Sequence, residues 1–261
     1  MDVELGNAKS NIARIVDRLG SSKAAGVDLA IFPEAAVTGY CVSSLEEAIR
    51  IAVSAEDLKT IHEATEGLDI LAVVGFAETD GEKVWNSAVL YEPGQIPRIY
   101  RKTHLPFLGI DRFVEAGDAL EVFDTRLGKI GLLICFDLRL PEPSRTLTLR
   151  GAELIVLPTN WPQGAEMSAN FISVARAAEN RVFLAACNRA GVESGYTFIG
   201  QSKIVAPTGQ ILASAGVGEH LVVCDIDLAE ARQKRTVVIP GEYETESIAS
   251  RRPGLYEGLA W

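Results

Sequence analysis

Ile12, Ile15, Val16 and Leu19 recur at the three- and four-residue spacing of one helical face, which predicts an amphipathic helix over residues 7–19. Leu29-Ala-Ile-Phe32 follows as a short continuous apolar run, the pattern of a buried strand, and leads into Pro33-Glu34. Thr38-Gly39-Tyr40 reads as a turn and residues 44–66 as helical. Ile70 to Phe76 and Val84 to Tyr91 read as strands around an Asp80-Gly81 turn, and 96–101, 120–123 and 129–135 as further strands. Pro141 can open a helix over 142–150 that Gly151 closes. Leu154 to Leu157 is then a strand, 165–180 a helix, and Val182 to Cys187 a strand. Residues 201–206, 210–214 and 220–226 complete the strands around a Pro207-Thr-Gly209 turn, and 228–235 reads as helical. Strands and helices alternate along the whole chain with several strand–strand neighbours. This predicts an α+β protein, either a helix-covered pair of sheets or one mixed sheet. No repeat or Gly/Ser-rich linker divides the chain, so residues 1–261 are expected to form a single domain.

Composition narrows the function. A formal net charge of −10 argues against a nucleic-acid partner, because phosphate binding needs a basic surface. The longest apolar stretches run under ten residues, too short to span a membrane, and Met1-Asp2-Val3-Glu4 does not open a signal peptide. Cys41, Cys135, Cys187 and Cys224 form no CxxC pair, and His62, His104 and His220 are isolated. The expectation is therefore a reduced, metal-free cytoplasmic protein.

Three stretches share one format, in which a strand ends and a chemically capable side chain follows. Glu34 follows Leu29–Pro33, Lys102 follows the 96–101 strand, and Cys135 ends its own strand before Phe136-Asp137-Leu138-Arg139-Leu140-Pro141-Glu142. Taken singly, each has a structural reading: Glu34 as a helix cap, Lys102 as a surface charge, Cys135 as a small hydrophobe. Taken together they supply the parts for breaking a C–N bond. A thiolate attacks an electrophilic carbon, a carboxylate takes the thiol proton, and an ammonium steadies the oxyanion.

Ile31-Phe-Pro-Glu34 with Thr38-Gly-Tyr40, Arg101-Lys-Thr-His-Leu-Pro106 and Ile134-Cys-Phe-Asp-Leu-Arg-Leu-Pro-Glu142 resemble the three signature blocks of the nitrilase superfamily of carbon–nitrogen hydrolases. Gly151–Asn160, Ala175–Asn180, Phe198–Ser202 and Arg251–Tyr256 extend the resemblance over nearly the whole chain. It implies an αββα four-layer sandwich with Cys135 as nucleophile, Glu34 as general base and Lys102 as the stabilising cation. The N–H of Phe136 would complete the oxyanion hole, and the resemblance implies that no metal or organic cofactor is needed. It also implies homodimers or larger assemblies, formed through residues 141–150 and 240–261.

The chain departs from the family pattern in two places. Many members carry a second active-site Glu soon after the Lys; here Asp111 matches it best by its distance from Gly117, with Glu115 as a surface acid. Members also begin with a buried strand ahead of the first helix, whereas this chain starts almost at the helix. The expectation is a missing N-terminal segment and an open slot in one sheet.

Phe136-Asp137, in place of the Trp-Glu usual in true nitrilases, looks more like the amidase and ω-amidase branches. Hydrolysis of a small aliphatic or ω-amide to acid and ammonia is therefore expected first, an N-carbamoyl compound second and a nitrile third. Tyr40, Phe107, Asn160 and Trp161 are candidates for the pocket wall. Arg139 could grip a substrate carboxylate or pair with Glu142, while Arg176, Glu179 and Asn180 read as an internal polar network. Two other classes stay open: a Cys–His hydrolase using His104 or His220, and a catalytically idle binding protein.

Overall fold

The computed structural model describes residues 1–257. Asn7 accepts the N–H of Ser10 and so caps α1 (Ala8–Ala24). Ser44 does the same through the N–H of Glu47 for α2 (Leu45–Ile51), and α3 (Lys59–Leu68) follows. The first sheet has the order β1 (Leu29–Ile31), β2 (Leu71–Thr79), β3 (Val84–Tyr91), β4 (Arg98–Arg101). β1 runs parallel to β2, and the other pairs are antiparallel. Alternation along β2 and β3 gives this sheet two apolar faces. Ala72, Val74, Phe76, Val89 and Tyr91 pack with Ile15, Leu19 and Ile61 of α1 and α3. Val73, Ala88 and Leu90 face the opposite way, into the core between the sheets.

The second sheet has six strands. Its centre is β6 (Gly128–Leu132), β7 (Leu154–Thr159) and β8 (Phe183–Asn188), which are parallel. β5 (Val122–Thr125) flanks them on one side, and β11 (Lys203–Val205) and β12 (Ile211–Ser214) on the other. Parallel neighbours need crossovers, and α4 (Pro141–Leu149) and α5 (Ser173–Asn180) supply them. Leu147 and Ala177 of these helices pack into the same hydrophobic core as Ile130, Leu132 and Ile155, with Leu147 on the Gly131 face of β6. Helix, sheet, sheet, helix is the expected four-layer order. Glu34 lies just beyond β1, Lys102 just beyond β4, and Cys135 and Asn160 just beyond β6 and β7. Among the described residues no helix is long and apolar enough to cross a membrane.

Several elements differ from their expected extents. The 44–66 helix is broken because Val53 leaves it to bridge Glu78 on β2, and a 3-10 turn over Glu56–Leu58 precedes α3. The strand expected to end at Cys135 stops at Leu132, and Cys135 instead opens a 3-10 turn, Cys135–Arg139. The 165–180 helix carries a π-helical turn over Ser168–Ile172, and 228–235 shortens to a 3-10 turn at Leu228–Arg232. Two hairpins escape the pattern because their strands are short: β9 (Ala190–Glu193) with β10 (Tyr196–Ile199), and β13 (Arg235–Ile239) with β14 (Tyr243–Glu246). Residues 220–226 alternate in exposure as a strand would but pair with none of the described residues. A cavity of about 510 Å³ separates them from the free edge of β1, lined by Leu29, Ile31, Val222, Cys224 and Ile226. Of the 240–261 stretch expected at a subunit contact, residues 258–261 lie outside the described residues.

Candidate active site

Glu34 reaches the site because the Pro33–Ala35 backbone, just beyond β1, passes close over Gly75 of β2. A Cβ on Gly75 of β2 would lie 2.5 Å from the Pro33 carbonyl oxygen and 2.7 Å from the Glu34 Cα, so only glycine fits beneath this backbone. Lys102, leaving β4, donates from Nζ to Glu34 Oε1 at 2.7 Å and to Asp111 Oδ2 at 2.6 Å. All three side chains are inaccessible to solvent. Asn86 of β3 binds the two carboxylates together, its amide donating to Glu34 Oε1 at 2.7 Å and to Asp111 Oδ1 at 2.8 Å. Tyr40 donates its hydroxyl to Asp111 Oδ2 at 2.7 Å.

Burial works against the Lys102 ammonium, but Asp111 and Glu34 outweigh it and hold its pKa above the usual lysine range. Burial raises the pKa of Glu34, with the Lys102 charge opposing and the Asp111 charge reinforcing the shift. Two carboxylates around one ammonium leave the cluster one negative charge in excess. An ammonium has three hydrogens, and two are committed here, which leaves one to point elsewhere. Glu34 Oε1 is saturated, whereas Oε2 is buried with no hydrogen-bond partner. That oxygen is the one free to take a proton.

Cys135 opens its turn with φ +45°, a left-handed conformation uncommon for a residue with a side chain. The residue is half-buried, and the Thr159 side chain and the Asn160 backbone N–H favour its ionised form. Burial pushes the thiol pKa up to about 12; the Glu34 charge adds to this, and Lys102 pulls the other way. A thiolate formed by losing its proton to water would double the buried negative charge. Passing the proton to Glu34 instead leaves the net charge of the site unchanged. The geometry therefore favours a thiol that is deprotonated only as it reacts.

The site gathers Glu34, Lys102, Asp111 and Cys135, with Phe136 next along the same turn. Tyr40 and Asn160 adjoin them, the latter buried with neither amide atom hydrogen-bonded. Trp161 is 2% exposed and belongs to the inter-sheet core. Phe107 is not gathered in: the loop carrying it stays at the surface, 90% of the residue is exposed, and its ring lies against Arg112. Nor does a Cys–His pair form. The His104 ring is bonded to Asp137 at 2.9 Å, and exposed His220 bonds the Val217 carbonyl. Arg139 has no ion pair with Glu142 among the described residues, while Arg176 pairs with Glu179 at 3.0 Å.

Sequence reading missed Asn86, Thr159 and Glu193. Glu193 on β9 accepts the N–H groups of Tyr40 and Cys41 at 2.9 and 2.7 Å and so fixes the Tyr40 loop. Asn86 left a trace, since it and Ser87 are polar residues inside the otherwise apolar run of β3.

Comparison with known proteins shows the family and the fold. The family described as carbon–nitrogen hydrolase matches residues 4–236. A nitrilase of Pyrococcus abyssi is 38% identical over 215 residues, 80% of each chain. The 2-oxoglutaramate amidase of Bacillus subtilis is 32% identical, covering 90% of this chain and 91% of that one. Among solved structures, an amidase of the nitrilase superfamily from Nesterenkonia sp. AN1 superposes with a TM-score of 0.83 at 25% identity, over 98% of this chain and 92% of its own. A variant of that amidase carries acrylamide added at its active-site cysteine; it superposes with a TM-score of 0.78 at 26% identity, over 89% of this chain and 93% of its own. With the family match over residues 4–236, these relatives and the shared fold, this chain belongs to the carbon–nitrogen hydrolases, as an amidase-like member of the nitrilase superfamily.

Proposed function

We propose that the protein hydrolyses a small aliphatic or ω-amide to an acid and ammonia, with Cys135, Glu34 and Lys102 as its catalytic residues. One observation carries this reading: Glu34 Oε2 is buried and unpartnered while its twin oxygen is held by Lys102 and Asn86. As the sulfur attacks the amide carbon, the thiol proton passes to Glu34 and the C–S bond forms. The carbonyl π pair moves onto oxygen. The remaining Lys102 hydrogen and the Phe136 N–H stabilise that oxyanion, each donor being worth about 3 kcal/mol in such sites. Collapse of the intermediate breaks the C–N bond, and Glu34 returns its proton to the departing nitrogen. Water then attacks the thioester, giving a proton to Glu34, and the acid leaves as the proton returns to sulfur. Asp111 holds Lys102 from its other side, in the role of the second acid.

The similarity to the 2-oxoglutaramate amidase supports an ω-amide over an N-carbamoyl compound. A second reading, nitrile hydrolysis, is favoured by the similarity to the Pyrococcus nitrilase. Parallel assays of ammonia release from amides, carbamoyl compounds and nitriles separate the three. The expected result is ammonia from amides, with an acyl adduct on Cys135 by mass spectrometry. Release from nitriles alone, or from none, overturns the proposal.

A further inference from the structure

The Asp137 carboxylate is fully buried and takes no part in the proton transfers above, yet it accepts five hydrogen bonds. Oδ2 receives the Ile134 N–H at 3.0 Å and the Tyr100 hydroxyl at 2.7 Å. Oδ1 receives the Thr103 hydroxyl at 3.0 Å and both the backbone N–H and ring Nδ1 of His104 at 2.9 Å. These donors come from two parts of the chain. Ile134 is joined to Cys135 at the end of the second sheet, while Tyr100, Thr103 and His104 bracket Lys102 at the end of the first. One carboxylate thus fastens the lysine-bearing stretch to the cysteine-bearing turn. That turn needs holding, because the positive φ of Cys135 persists only where its surroundings enforce it.

We propose that Asp137 and His104 are positioning residues, whose pairing locks the Lys102 stretch against the Cys135 turn and so keeps ammonium and thiol in register. The hydrogen bond to Asp137 raises the His104 pKa; partial burial opposes this, and the Asp137 and Glu142 charges add to it. The proposal rests on the amide-hydrolysis reading for its turnover arm, and on geometry alone for its thiol-reactivity arm.

The test uses the full chain with Asp137→Asn, His104→Ala, His104→Gln and Tyr100→Phe. Two quantities are measured: kcat and KM on the best amide, and the rate at which iodoacetamide alkylates Cys135, resolved from the other cysteines by peptide mass spectrometry. In Asp137→Asn and His104→Ala, kcat is expected to fall about 30- to 100-fold with KM within about threefold, the signature of misplaced rather than missing groups. Cys135 alkylation should slow about tenfold in the same variants, as the thiolate loses its cation. His104→Gln keeps a donor for Asp137 and should recover most of the His104→Ala loss. Alkylation and kcat within twofold of wild type in Asp137→Asn and His104→Ala, or equal losses for Gln and Ala, overturn the proposal. Should Asp137→Asn not fold, Tyr100→Phe, which removes one bond from the same carboxylate, decides: wild-type values in both measurements count against the clamp. A wild-type enzyme that releases no ammonia refutes the amide reading instead, and the alkylation rates still judge the clamp.

Discussion

Glu34 is held in the state its chemistry requires and its stability opposes. Its pKa in the folded protein lies above the ordinary 4.5, so folding favours the protonated acid. That contribution is complete below pH 4.5 and is lost as pH rises through the raised value, which makes the ionised carboxylate a cost at neutrality. Glu34→Gln should therefore abolish turnover, with kcat down about 10³-fold or more. The same variant should melt higher, by about 2–4 °C, the shift that ~1 kcal/mol gives in a domain of this size. Calorimetry beside an ammonia assay checks both signs, and a lower melting temperature refutes the argument. At this scale the three reactive residues were legible because each stands where an apolar run stops. Asn86, Thr159 and Glu193 were not, because their role depends on strands remote in sequence. Phe107 was misjudged because nothing local records which way a loop aromatic turns.

Elements carry the next level of constraint. Gly75 sits in the middle of a nine-residue strand, where a side chain would normally help packing. Its hydrogen is what allows the Pro33–Ala35 backbone to lie across β2. Gly75→Ala should cost about 1–3 kcal/mol as overpacking. It should also lower kcat by about 10²-fold through displacement of Glu34, with Lys102 and Cys135 untouched. Urea unfolding with steady-state kinetics tests the pair, and an unaffected kcat would separate Gly75 from the site. β2 and β3 were readable as strands because each buries both faces and so reads as a near-continuous apolar run. The end of β6 at Leu132 was not, because the apolar run continues through Leu133 and Ile134 to Cys135. The break after α2 was hidden for a like reason: Val53 suits a helix locally and is diverted by the edge of β2.

At the scale of the molecule, the four layers bring two sheet ends together, and the proposed catalytic groups divide between them. Glu34, Lys102 and Asp111 belong to the first sheet and its loops, Cys135 and Asn160 to the second. The resemblance made that architecture legible; composition and periodicity alone left one sheet or two undecided. Because Glu34, Lys102 and Asp111 are closed off from water, mobile counter-ions cannot reach them, although the chain as a whole carries a formal charge of −10. With an uncharged amide, kcat should stay within about twofold between roughly 0.02 and 0.5 M sodium chloride, a range over which exposed ion pairs are largely screened. A steep loss on adding salt would mean that ions enter the cluster. If the rate holds, the protein works as its own electrolyte-free compartment: the ionic medium of the reaction is set by the fold and travels with it into any solution.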